Sequence, residues 1–303
     1  MSIRHILCPI DFSDASTKAL ALAAAVARAY GARLTALHVR PTVVPHPDIP
    51  IGGPMAPWLV TELDALRQRA ADACRDVAGT GVEFDATATA GEPVHDILDR
   101  AAALSVDLIV MGTHGIGGFQ HLLLGSVTEK VLRKASCPVL TVPPGTHAPA
   151  GPLFTRLICG VDFSDCSQTA ATYAASMAKA SGSALTLLHV IEWPWRETAG
   201  PEIEGVPTAQ AQAIVESRRY LEASANERLD TLAASVMPTG AATTHVRFGK
   251  PYRELLDAAR DAGADLIVLG VRGRSSVDLA FFGSTASHVV RAATCPVLTI
   301  RGA

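Results

Sequence analysis

Val106–Gly112 reads VDLIVMG, and 158 residues later (264 − 106) Ala264–Gly270 reads ADLIVLG. Each run is short, apolar and rich in β-branched residues, which suits a strand buried on both faces, and each stops at a glycine. Behind each glycine comes a loop of the same frame. The first copy is MGTHGIGGFQHLLLGS, Met111–Ser126; the second is LGVRGRSSVDLAFFGS, Leu269–Ser284. Both loops lead into helix-like stretches, SVTEKVLRKA in the first case, and both helices lead to a final apolar run. ASCPVLT at Ala135 returns as ATCPVLT at Ala293, again offset by 158 (293 − 135).

Working toward the N-terminus, the repeat continues with a different spacing. CPIDFSDAS at Cys8 returns as CGVDFSDCS at Cys159, and GARLTALHV at Gly31 as GSALTLLHV at Gly182, both offset by 151 (159 − 8 and 182 − 31). GEP at Gly91 returns as GKP at Gly249, offset by 158 (249 − 91). The chain is therefore a tandem repeat with one net insertion of seven residues (158 − 151), which must fall between Val190 and Gly249. The stretch His189–Thr208, with two of the three tryptophans, overlaps that region and reads as a lid, a contact surface or a simple packing segment. PPGTHAPAGP, Pro143–Pro152, is the link, so two domains are expected over 1–146 and 153–303.

Each copy alternates strand and helix. HILCPI is the first strand. The helix after it has Ser13 as N-cap, Asp14 in its positive first turn and Gly31 as its C-terminal stop. A second strand, RLTALHV, is followed by a helix within roughly 55–77, a polar strand near 82–89, and a helix opened by Pro93. Short connections and strict alternation predict an α/β fold: two doubly wound, five-stranded parallel sheets in tandem. Such sheets bind ligands beyond the carboxyl ends of their strands, where the winding reverses. That edge carries Asp11, Val39 and the loop after Met111.

The bulk composition excludes several classes. The 303 residues carry a formal charge of −3, so no global field recruits nucleic acid or an anionic membrane. The longest apolar run, Ala19–Ala27, is too short to span a bilayer, and the N-terminus shows no signal-peptide pattern, so a cytoplasmic protein is expected. Six cysteines without a CxxC pair read as free thiols in a reducing compartment, and ten histidines without HxH or HxxxH grouping argue against a histidine metal site.

Between the two loops the filling changes while the frame G-x2-G-x9-G-S persists: Gly112, Gly115, Gly125 and Ser126, then Gly270, Gly273, Gly283 and Ser284. Glycines let backbone N–H groups approach an anion closely, and the Gly-Ser pair opens a helix, where unpaired N–H groups and the dipole favour negative charge. The frame lacks the lysine of a GxxxxGK[ST] loop. Two readings stand: the glycines cradle phosphates, or they end a strand and cap a helix. Asp11 and Asp162 likewise read as acceptors for a ribose hydroxyl or as loop caps.

PIDFSD, the LHV strand, DLIVMGTHG and LLLGSVTEKVLRKASCPVLTV resemble the universal stress protein family, and the likeness covers nearly all of both halves. The resemblance implies strand order 3-2-1-4-5, the family's ATP-binding branch, and ATP as ligand, with Mg in attendance. It implies that Asp11 and Asp162 contact the ribose or adenine end and that Val39 and Val190 offer backbone groups to adenine. Gly112, Gly115, Gly125 and Ser126 would hold the phosphates in the first half; Gly270, Gly273, Gly283 and Ser284 would do so in the second. Pro9 stands where the second half has Gly160, a difference at the adenine end. Arg272 and Arg274 replace His114 and Ile116, and reach phosphates or simply face solvent. Family members commonly pair their last strand across a dimer, which implies that the halves pair with each other as an intramolecular pseudo-dimer and leaves a homodimer of whole chains open. With His114 matched by Arg272, which cannot act as a base, the duplicated site has no duplicated base. That favours a nucleotide-dependent stress regulator with an unknown protein partner over a slow ATPase or a nucleotide-independent scaffold. A phospho-acceptor receiver fits neither PIDFS nor TVPPG.

Overall fold

The computed structural model describes residues 3–42, 57–79, 81–115, 124–146, 151–192, 208–238, 242–271 and 282–301. The first half runs β1 (His5–Pro9), α1 (Asp14–Tyr30), β2 (Arg33–Pro41), α2 (Pro57–Ala78), β3 (Phe84–Gly91), α3 (Pro93–Ala103), β4 (Leu108–Gly112), α4 (Ser126–Lys134) and β5 (Val139–Val142). The second repeats it as β6 (Arg156–Gly160), α5 (Asp165–Ser181), β7 (Ala184–Ile191), α6 (Thr208–Val236), β8 (Ala242–Phe248), α7 (Pro251–Asp261), β9 (Leu266–Gly270), α8 (Ser284–Ala292) and β10 (Val297–Ile300). The described strands form one sheet, ordered β3-β2-β1-β4-β5-β10-β9-β6-β7-β8. Within each half all pairings are parallel and the order is the expected 3-2-1-4-5; only β5 and β10 run antiparallel.

That antiparallel junction is the pairing of last strands that the family resemblance implied. Leu298 faces Leu140, with Val297 opposite Thr141 and Thr299 opposite Val139. The two flanking threonines lock it reciprocally: Thr141 Oγ1 donates to Val297 O and Thr299 Oγ1 to Val139 O, each at 3.1 Å. All eight residues of the two short strands are buried. Pairing them removes two exposed sheet edges in one step.

Two apolar layers sandwich the sheet and both run through the junction. One collects residues of α1, α2, α5 and α6, the other residues of α3, α4, α7 and α8. Buried alanines at 19, 23, 24 and 27 let α1 lie close on the sheet. Ser13 caps α1 by accepting from Ser16 N, and Gly31 closes it at φ 63°, a left-handed value that glycine adopts without steric cost.

The seven-residue insertion can be followed along the second half, within the expected interval between Val190 and Gly249. The starts of α2 and α6 are offset by 151 (208 − 57) and their ends by 158 (236 − 78). Over the described residues α6 is 29 residues long against 22 for α2, seven longer. Seven residues are almost two turns, so a helix absorbs them with only about 20° of drift and keeps the same face on the sheet. Residues 193–207, with both tryptophans, lie outside the described residues.

Candidate functional site

The winding of each half reverses between β1 and β4 (β6 and β9), and the carboxyl ends of these strands open toward the starts of two helices. Asp11 follows β1. Its Oδ1 accepts from Ser13 N at 3.0 Å and from Ser13 Oγ at 2.5 Å, while Asp11 N donates to Ser16 Oγ at 3.3 Å. Asp162 repeats the arrangement with Ser164 N at 3.0 Å, Ser164 Oγ at 2.5 Å and Ser167 Oγ at 3.3 Å. One oxygen thus organises the turn into the helix. The other lies across the gap: Asp11 Oδ2 would stand 2.5 Å from a Cβ added to Gly115. The carboxylate therefore covers the face of the loop that a side chain would otherwise fill, while its Oδ1 serves as the cap of the turn.

The frame glycines do different jobs. A Cβ on Gly112 would meet the Ala15 carbonyl carbon at 3.0 Å, and one on Gly270 the Cys166 carbonyl carbon at 2.9 Å. These glycines let the first turn of α1 or α5 rest directly on the strand end. Gly125 N donates to Thr113 O, and Gly283 N to Val271 O, both at 2.8 Å, so each loop is closed at its neck. Gly125 and Gly283 are also N-caps, with φ near −57° and no side-chain acceptor for the helix that follows. The contrast with α1 and α5, whose first turns are capped by Ser13 and Ser164, is physical. A helix start without a capping side chain keeps first-turn N–H groups for an external anion. Ser126 and Ser284, the first residues of α4 and α8, are exposed at those starts. Gly273, Arg272 and Arg274 lie outside the described residues, as does Ile116.

Val39 and Val190 sit near the ends of β2 and β7, opposite Thr89 and Arg247 in the neighbouring strands. Among the described residues no group of three or more His, Cys, Asp or Glu side chains gathers as a metal site.

One constellation was not singled out from the sequence. Phe12, directly after Asp11, has φ 63°, and so does Phe163. A left-handed backbone costs a bulky residue about 1–2 kcal/mol. Each ring contacts a histidine and an arginine. The Phe12 ring lies 4.7 Å from the His38 ring and has the Arg69 guanidinium 4.0 Å over it; the Phe163 ring has His189 at 4.5 Å and Arg228 at 3.9 Å. The histidines are held in turn, His38 Nδ1 to Ile10 O at 2.9 Å and His189 Nδ1 to Val161 O at 2.7 Å. An aromatic pair and an exposed cation–π contact contribute about 0.5–1.5 and 0.5–1 kcal/mol, enough to offset the strain. The signal was present in the repeats themselves: DFSD carries both phenylalanines and LHV both histidines.

The profile of the universal stress protein family matches residues 2–143 and again 153–301. A universal stress protein of Mycolicibacterium smegmatis is 30% identical over 307 residues, covering 98% of this chain and 96% of that one. A single-domain relative from Thermus aquaticus is 41% identical over 141 residues, 46% of this chain and 98% of its own length. Among solved structures, a universal stress protein of Archaeoglobus fulgidus shares the fold at a TM-score of 0.67 and 22% identity, covering 99% of this chain and 97% of that one. The chain belongs to the universal stress protein family, with one family domain in each half.

Proposed function

We propose that each half, 1–146 and 153–303, binds one adenine nucleotide, ATP with Mg, at the carboxyl edge of its strands. On this reading the protein is a cytoplasmic, nucleotide-dependent regulator of a stress response, acting through binding rather than fast catalysis. The observation that carries it is the duplicated meeting of three features at the reversal of winding: an aspartate carboxylate, a glycine loop closed at its neck, and a helix start without a capping side chain. Asp11 and Asp162 would accept from the ribose, Val39 and Val190 would offer backbone groups to adenine, and the loop glycines with Ser126 and Ser284 would hold the phosphates.

The residues present fit the ligand. Gly115 lies against the Asp11 carboxylate with no room for a Cβ, which keeps loop backbone and aspartate together at the strand edge. The α4 and α8 starts supply neutral donors suited to phosphate oxygens. Since no described cluster offers metal ligands, Mg would ride on the phosphates. Because β5 and β10 pair with each other, a homodimer or a protein partner would use some other surface.

Denaturing the purified protein and chromatographing what it releases tests the ligand class. Adenine nucleotide in the supernatant supports the reading. An empty supernatant, followed by no thermal shift with millimolar ATP and Mg, would leave a nucleotide-independent scaffold.

A further inference from the structure

The proposed site depends on where the Asp11 and Asp162 carboxylates point, and the residue that turns the chain immediately after each is a phenylalanine in a left-handed backbone. Glycine or asparagine is the ordinary choice for such a turn. Both halves instead use a large ring, and in both it contacts a histidine from the second strand and an arginine from the long outer helix. The histidine is anchored to the carbonyl just before the aspartate, Ile10 O or Val161 O, so the stack grips the turn on both sides of the carboxylate.

We infer that Phe12 with His38 and Arg69, and Phe163 with His189 and Arg228, are positioning residues that set the Asp11 and Asp162 carboxylates for the nucleotide. The stack ties α2 and α6 to the turn that carries each aspartate. The inference rests on the nucleotide-binding reading for its effect on affinity, but its geometric core does not. If the stack sets the turn, weakening it loosens the hydrogen bonds from Ser13 N and Ser164 N to the carboxylates whether or not a nucleotide binds.

The test uses the full chain with F12A/F163A, and R69M/R228M as a milder pair that leaves the rings in place. Amide exchange at Ser13 and Ser164 is read by NMR without nucleotide, with Ala32, at the far end of α1, as control. Faster exchange at both serines and unchanged exchange at Ala32 is expected. Calorimetry with Mg-ATP then gives affinity, expected to fall about tenfold for F12A/F163A and about 2- to 5-fold for R69M/R228M. In a D11N/D162N background most of that loss should disappear, because the stack acts through the carboxylate. Unchanged serine exchange, or the same fold-loss in the D11N/D162N background, overturns the inference. Faster serine exchange in a protein that takes up no ATP at all upholds the positioning of the carboxylates and removes the nucleotide reading alone.

Discussion

Glycine-to-alanine changes separate two roles that look identical in the frame. Gly112→Ala drives a methyl group to 3.0 Å from α1 backbone that cannot yield without moving the helix, so a loss of about 1–3 kcal/mol in urea unfolding is expected. Gly115→Ala meets only the end of the Asp11 side chain. It should leave stability nearly unchanged and lower ATP affinity in the first half about tenfold, as a displaced charged hydrogen-bond partner does. Calorimetric titration beside urea curves checks both. Thiols add a pH dependence. Burial pushes Cys159 up from 9.0 to about 12, and burial with the nearby Asp85 charge pushes Cys74 to about 12. The folded state holds these thiols protonated, so their contribution is intact below the unfolded value and is lost as pH rises from 9 toward 12. Unfolding midpoints should therefore decline across that window, and alkylation of Cys159 below it should require unfolding.

At the scale of elements, most of what the sequence could show was periodic or local. Ser13, Gly31 and Pro93 marked helix ends because capping depends on one side chain or one φ value, and the structure places them at those ends. Asp11 was legible as an edge residue, but the division of labour between its oxygens was not, since that depends on Gly115 arriving from a loop a hundred residues away. The Phe12 stack stayed hidden for the same reason: strand, turn and helix supply one member each. The insertion was counted correctly from offsets, yet the greater length of α6 needed helix ends, which lie in a stretch with little residue identity between the copies. The junction strands carry a prediction of their own. Leu140 and Leu298 are each 1% exposed and face each other, so Leu298→Ala should cost about 2–5 kcal/mol. Leu298→Asp should instead break the junction, converting one thermal transition into two in scanning calorimetry.

The described strands of the whole molecule form one sheet whose order mirrors itself about the middle, and its proposed sites lie in separate halves joined through β5 and β10. Helices α4 and α8 also touch across this junction: Arg291 of α8 lies 3.5 Å from Glu129, in the first turn of α4. Ser287 occupies the position in α8 that corresponds to Glu129, so the halves are alike in frame and unlike in charge at this point. Two binding events with different affinities are therefore expected from one chain. Isothermal titration of nucleotide-stripped protein with Mg-ATP measures this most directly. Saturation at about two ATP per chain, reduced to about one by Gly115→Ala at low ATP, is the predicted result. No heat at millimolar ATP, or saturation that Gly115→Ala leaves untouched, would contradict nucleotide binding at these loops.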